Sequence, residues 1–305
     1  MKLTRRELIR LGTGAAAAGV ASPWSSMLAS EMPLITATIP SSGIEVPVVG
    51  VGTNRYRGEV GSSAMEPLRT TLETIFRLGG RLIDTSPYYG NSEEVLGALL
   101  GETGLRDKAF MATKVDREDA AEGVERMESS VDRLGNPIDL MQVHNLRGTD
   151  AQLKTLFEWK EQGRLGHVGI TTHRVSQHAE MEAFMRKYPL DFIQVNYSLA
   201  DRASADRVLP LAIDRGIAVL VNRPFGNGKL FSVVKGLDLP AWAADIDCSS
   251  WGQVFLKYII GHPAATIPIP GTTKPHHAED NMGAMRGRLP DQAMRAEIES
   301  FFDAL

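Results

Sequence analysis

Apolar and polar positions along this chain fall into two rhythms that take turns. Short apolar runs end in a polar residue: R-L-I-D closes at Asp84, A-F-M-A-T-K at Lys114 and D-L-M-Q-V-H at His144. The stretches between them are amphipathic at helical spacing, as where Val124, Met127, Val131 and Leu134 recur three and four apart. Asp84 and Lys114 are 30 residues apart, and so are Lys114 and His144. One strand, one helix and two loops take about 30 residues. The equal spacing therefore predicts consecutive β-α units, each with its polar residue at the C-terminal end of a strand.

The same rhythm runs through the rest of the chain. Residues 32–47 alternate around Pro40 and Gly43 and read as a hairpin, followed by a first strand at 48–52. A helix over 63–78 is stopped by Gly79 and Gly80, and the next begins at Ser92 with Glu93 and Glu94 in its first turn. Further strands are predicted at 166–171, 192–196, 217–221 and 265–269, with helices at 151–162, 176–187, 204–215 and 249–260. Eight such units predict an α/β fold, a (β/α)8 TIM barrel whose floor is capped by the N-terminal hairpin and whose active face lies at the C-terminal strand ends. A doubly wound sheet is the structural competitor, but no G-x-G-x-x-G follows an early strand. No linker or composition shift divides residues 31–305, which are expected to form a single domain.

The strand-end residues make a chemical set. An Asp at the end of a buried strand is costly unless paired, and Lys114, at a neighbouring strand end, is the cation to pair with Asp84. Pro87 and Gly90 force a turn that brings Tyr89 to the same mouth. A nearby ammonium is expected to lower the phenol pKa, making Tyr89 a proton donor, while His144 donates to a substrate oxygen. Lys114 and Asp84 forming a purely structural ion pair is the alternative for those two, and a lone His144 would read as a core histidine.

With these residues the chain resembles the aldo-keto reductase superfamily, from about residue 44 to the C-terminus. Asp84, Tyr89, Lys114 and His144 match that family's active-site Asp, Tyr, Lys and His in identity, order and spacing. The motifs G-V-G-T, D-T-S-P-Y-Y-G, A-T-K, V-H-N, G-R-L-G-H-V-G-I-T-T, Q-V-N-Y-S and I-P-G-T-T-K accompany them. The resemblance implies reduction of an aldehyde or ketone, or the reverse oxidation, with a nicotinamide cofactor. It places Gly52 and Thr53 beside the cofactor, and Tyr56, Tyr88 and Asn145 beside the substrate. Thr171, Thr172 and Gln194 stand where the family holds the nicotinamide amide. Asn222 replaces the aromatic that usually stacks on the ring, with Arg223, Pro224, Phe225, Gly226 and Gly228 in the loop that clamps the pyrophosphate. Gly271 and His277 replace a Lys and an Arg common in members selective for the phosphorylated dinucleotide. Thr272, Thr273 and Lys274 remain beside a helix N-terminus, so NADPH is expected over NADH. Asp280 and Asn281 match the pair near the adenine. A dinucleotide-binding sensing or accessory protein with little turnover is the alternative, motivated by Asn222. A barrel hydrolase would need paired carboxylates or metal ligands at the strand ends, where only Asp84 is a carboxylate, and no metal is expected.

Composition narrows the rest. With 305 residues, 43% of them hydrophobic, the chain is long enough for one barrel or two ordinary domains. A net charge of −4 without a long basic run argues against a nucleic-acid partner. The single cysteine, Cys248, excludes an internal disulfide and reads as a small buried apolar residue. Trp242 and Trp251 read as packing residues, and Met181 and Met185 as core. Residues 1–30 read as a leader: T-R-R-E-L-I-R precedes a small apolar run at 11–21, too short to span a bilayer, and resembles a twin-arginine (Tat) signal. Expected partners are the Tat export machinery and a small-molecule carbonyl substrate, with a periplasmic location, no stable membrane insertion, and a monomer or weak oligomer. An ordinary amphipathic helix that happens to contain Arg5 and Arg6 is the alternative for this segment.

Overall fold

The computed structural model describes residues 32–264 and 266–305. The 1–30 leader, and Ala265 at the start of the eighth expected strand, lie outside the described residues. Strands β1 (Thr36–Thr38) and β2 (Glu45–Pro47) pair antiparallel, Ala37 opposite Val46, as the predicted hairpin. Eight strands then pair in parallel, each with its neighbour in sequence: β3 (Val51–Gly52), β4 (Leu82–Asp84), β5 (Phe110–Val115), β6 (Ile138–Val143), β7 (Leu165–Thr171), β8 (Phe192–Asn196), β9 (Ala218–Asn222) and β10 (Thr266–Pro268). The ends of this sheet meet: Gly50 N donates to Pro268 O at 3.0 Å and Gly52 N to Pro270 O at 3.3 Å, with a parallel bridge from Gly52 to Gly271. The result is a nearly closed barrel. β3 is shorter than the expected 48–52 because Val48 N still bonds back to Ile35 O beside the hairpin, at 3.2 Å.

Helices alternate with the strands, among them Ser92–Thr103, Ala120–Leu134, His178–Lys187 and Trp251–Ile260. The helix Ala120–Leu134 starts where Asp119 accepts from Ala121 N and Glu122 N, satisfying two of its orphan donors. It buries Met127 and Leu134, with Val124 and Val131 packed at the edge of the same face. It crosses Ser92–Thr103 so closely that a Cβ on Gly97 would lie 1.9 Å from Arg133 O. Met181 and Met185 are fully buried, as expected of core residues. Cys248 is buried too, its thiol pushed up to about 12 by that burial. Among the described residues no helix is long and apolar enough to cross a membrane.

The core has two parts. One, outside the sheet, joins strand residues such as Ile83, Met111, Met141 and Ile193 to the helices. The other fills the barrel: Leu82, Ala112, Leu140, Phe192, Leu220 and Ile267 meet Ile39 and Val46 from the hairpin region. The hairpin thus closes one end with apolar side chains. Residues Pro33–Leu305 form one compact unit.

Candidate active site

Side chains two apart on a strand share a face. Leu82 and Asp84, Ala112 and Lys114, Leu140 and Gln142, and Phe192 and Gln194 are such pairs, in each of which the first residue belongs to the apolar barrel filling and the second is a buried polar group. Four strands thereby raise four polar groups to one level above an apolar floor.

Asp84 is the hub of that level. Its Oδ2 accepts from Lys114 Nζ at 2.7 Å, and its Oδ1 accepts from Gln194 Nε2 at 2.8 Å and Gln142 Nε2 at 3.2 Å. Lys114 Nζ also donates to Thr85 O at 2.7 Å and lies 5.3 Å from the centroid of the Tyr89 ring. Asp84 is 2% exposed and Lys114 not at all. Burial disfavours the Lys114 ammonium, yet Asp84 and Tyr89 together hold its pKa above the ordinary value. The Tyr89 phenol is pushed up by burial, and Lys114 opposes that shift without reversing it. This corrects the expectation of a lowered phenol: desolvating a phenolate costs more here than a single ammonium, already answered by a carboxylate, returns.

His144 directly follows β6. Its pKa is pushed down to about 3, by burial first and by Lys114 second, so the ring is neutral at neutral pH. Nδ1 sits 3.2 Å from Ser86 Oγ, and the rings of Tyr88 and Tyr89 both stand edge-on to it with centroids 5.9 Å away. The next two residues turn the chain sharply, Asn145 at φ 56° and Leu146 at φ 57°, conformations that a bulky side chain adopts only at a cost. Three contacts hold Asn145 there: its N donates to Thr171 Oγ1 at 3.0 Å, its O accepts from Gln177 Nε2 at 3.3 Å, and its Oδ1 lies 3.0 Å from His173 Nδ1.

A cavity of about 920 Å³ opens over this level. It brings together Asp84, Tyr89 and His144 with Gly52, Thr53, Tyr88, Asn145, Thr171, Gln194, Asn222, Arg223, Pro224, Phe225, Gly228, Gly271, Thr272, His277, Asp280 and Asn281. Lys114 lies behind Asp84 and Tyr89, outside the lining. Tyr88 is 70% exposed at the rim. Thr53 donates its hydroxyl to Asp84 O at 2.9 Å, tying β3 to β4.

Other expected positions fall elsewhere. Tyr56 is fully buried in the core, its hydroxyl without a partner among the described residues, because the chain turns back at Thr53 and carries the ring inward. Thr172 is 1% exposed and turns its hydroxyl to Gln177 Oε1 at 2.6 Å, holding its own loop. Thr273, Lys274 and Gly226 are also outside the lining. Thr272 Oγ1 accepts from Lys274 N at 3.1 Å at the entry of the helix Pro275–Gly283, and a Cβ on Gly226 would meet Ala200 Cβ at 3.2 Å. Trp251 stacks on Phe255 and Phe301, as a packing residue would, but it also lines the cavity.

Sequence reasoning missed Gln142, although its place two residues before His144 and on the same strand face as Leu140 was a usable signal. It also missed His173, which extends the end of β7 into the cavity, and Phe231 and Ser250, which reach it from beyond β9. Among the described residues no group of His, Cys, Asp or Glu could hold a metal ion.

Comparison with known proteins bears on the family and the fold. The profile of the Aldo/keto reductase family matches residues 48–301. The aldo-keto reductase YhdN of Bacillus subtilis is 32% identical over 212 residues, 63% of this chain and 62% of that protein, so the match spans less than two thirds of its length. The aldo-keto reductase str7 of Strobilurus tenacellus is 26% identical over 267 residues, 74% of this chain and 78% of that protein. Among solved structures, an aldo/keto reductase of Klebsiella pneumoniae in complex with NADP and acetate superposes with a TM-score of 0.72 at 20% identity, covering 88% of this chain and 96% of that one.

Proposed function

Since the chain belongs to the aldo/keto reductase family, we propose that it reduces an aldehyde or ketone to an alcohol with NADPH, Tyr89 giving the proton. The observation that carries this reading is the buried Asp84 and Lys114 pair beside Tyr89 and His144, next to a cavity of ligand size. The NADP complex of the Klebsiella pneumoniae protein supports a nicotinamide dinucleotide as the cofactor.

The residues present fit such a group. Asn222 lines the cavity, and its Oδ1 is buried without a partner among the described residues, an acceptor for an amide or hydroxyl. Gly228, at φ 89°, has no atom within 4 Å of where a Cβ would stand, leaving the backbone open to a ligand. Thr171, Gln194 and Asn222 would hold the nicotinamide end, and Thr272, His277, Asp280 and Asn281 the adenosine end. When bound, the reduced nicotinamide supplies hydride.

The chain's own part is proton and charge management. Burial keeps Tyr89 protonated at neutral pH, so it has a proton to give to a carbonyl oxygen. Lys114 meets the phenolate charge that results, and Asp84 with its two amide donors keeps Lys114 in place. Neutral His144 offers an N–H to the same oxygen. The reverse oxidation would use the same groups.

We also propose that residues 1–30 direct the protein to the periplasm by the Tat route, on the strength of T-R-R-E-L-I-R and the apolar run after it.

Fluorescence titration with NADPH and with NADH, followed by turnover of a panel of aldehydes, quinones and dicarbonyls, tests the reading. Saturable binding, tighter for NADPH, with turnover is expected. Binding without turnover over the whole panel would replace the reductase by a sensing or accessory role, and no binding to either dinucleotide would remove both.

A further inference from the structure

We propose that Ser86 is the positioning residue that fixes the tautomer of His144, keeping Nδ1 unprotonated so that the ring carries its hydrogen on Nε2, on the cavity side. The tautomer follows from the packing alone; its catalytic consequence rests on the reductase reading.

Ser86 opens the turn that carries both tyrosines. Its O accepts from Tyr89 N at 3.0 Å and its Oγ from Tyr88 N at 3.1 Å. It is fully buried. One lone pair of Oγ is thus taken, and the hydroxyl hydrogen remains to be placed. The other polar atom bonded to Oγ among the described residues is His144 Nδ1, at 3.2 Å. Two arrangements are open. In the first, the hydroxyl donates to Nδ1 and every hydrogen has an acceptor. In the second, Nδ1–H donates to Oγ, which then accepts twice, and its own hydrogen is left buried without an acceptor among the described residues. An unmet buried donor is the more expensive state, so the first arrangement wins.

The ring is neutral, because burial and the neighbouring Lys114 both disfavour the imidazolium. A neutral imidazole whose Nδ1 accepts carries its hydrogen on Nε2. His144 lines the cavity, and its Nε2 has no hydrogen bond within the described residues. The group offered to a carbonyl oxygen is therefore a donor, whereas the other tautomer would offer a lone pair and repel it. Ser86 thus bears on two polar groups of the site: its backbone holds the turn under Tyr89 and its hydroxyl orients the proton of His144. The pair is separated by 58 positions in the chain, so the effect arises only when β4 and β6 deliver their ends to one mouth.

The test is a long-range ¹H–¹⁵N correlation spectrum of the full chain labelled with ¹⁵N-histidine, with the His144 signals identified by their loss in His144→Asn. Wild type is expected to show Nδ1 bare and Nε2 protonated. Ser86→Ala is expected to mix the two tautomers and to lower kcat about tenfold, the size of one misdirected hydrogen bond, with dinucleotide binding unchanged. A protonated Nδ1 in wild type would overturn the proposal whether or not Ser86→Ala folds. An unchanged tautomer in Ser86→Ala would overturn it as well. If the tautomer is as stated but no carbonyl compound turns over, the reductase reading fails and the Ser86 assignment stands.

Discussion

Lys114 Nζ and Asp84 Oδ2 stand 2.7 Å apart, the cation fully buried and the carboxylate nearly so, with two glutamine amides completing the carboxylate's partners. A buried pair of this kind adds little to stability as a whole, but removing one member strands the other. Lys114→Met should therefore cost about 3 kcal/mol or somewhat more of folding stability and also lower turnover at least about 100-fold. Asp84→Asn combined with Lys114→Met should recover much of the stability and none of the activity. Urea unfolding and turnover measured on both variants check this; recovered turnover in the double variant would make the pair merely structural.

Tyr89→Phe keeps the ring that packs edge-on to His144 and removes only the hydroxyl. Turnover should fall about 10²- to 10⁴-fold while dinucleotide fluorescence titrations stay as in wild type. Because burial holds the phenol above its ordinary value, carbonyl reduction by wild type should be flat through neutral pH and decline only in strongly alkaline solution, whereas alcohol oxidation should rise with pH. A reduction rate that already falls between pH 7 and 9 would mean that another group gives the proton.

One buried histidine, His144, and one half-buried, His262, predict acid lability. His144 is held down to about 3 and His262 to about 4, both by burial first, against 6.5 for a free histidine. Each takes up its proton more readily in the unfolded chain than in the folded one. Stability should be fully present above pH 6.5 and be lost as pH falls toward 3. His262→Asn should flatten part of that slope in urea midpoints taken from pH 7 to pH 4.5. An unaltered slope would place the acid sensitivity elsewhere.

The 1–30 segment is testable apart from the barrel. Replacing both Arg5 and Arg6 by Lys should retain the protein in the cytoplasm, read by fractionation of producing cells. Export unaffected by the double replacement would remove the Tat assignment without touching the enzymatic one.

Much of the architecture was legible because it is written in short-range periodicity. The polar ends of β4, β5 and β6, the helix face of Met127 and Leu134, and the hairpin that packs Ile39 and Val46 into the barrel floor each follow from which residues alternate with which. Asp84 and Lys114 were legible as a pair because an isolated buried charge is untenable. Tyr56 and Thr172 were not, since their positions at strand ends say nothing about which way a loop side chain turns. Trp251 reads as packing from its neighbours, and only the path of the chain beyond β9 brings it to the cavity.

By itself, then, the amino-acid sequence determined the count and order of the β-α units, the end of the barrel that carries the polar groups, and the identity of the four central ones. Tertiary structure decided how those groups behave. The direction of the Tyr89 shift depends on how far the ring is desolvated, the tautomer of His144 on a hydroxyl 58 positions away, and the hold on Asp84 on an amide 110 positions away. Periodicity is a property of neighbours along the chain, whereas solvation and proton placement belong to neighbours in space, which are fixed only when the sheet closes.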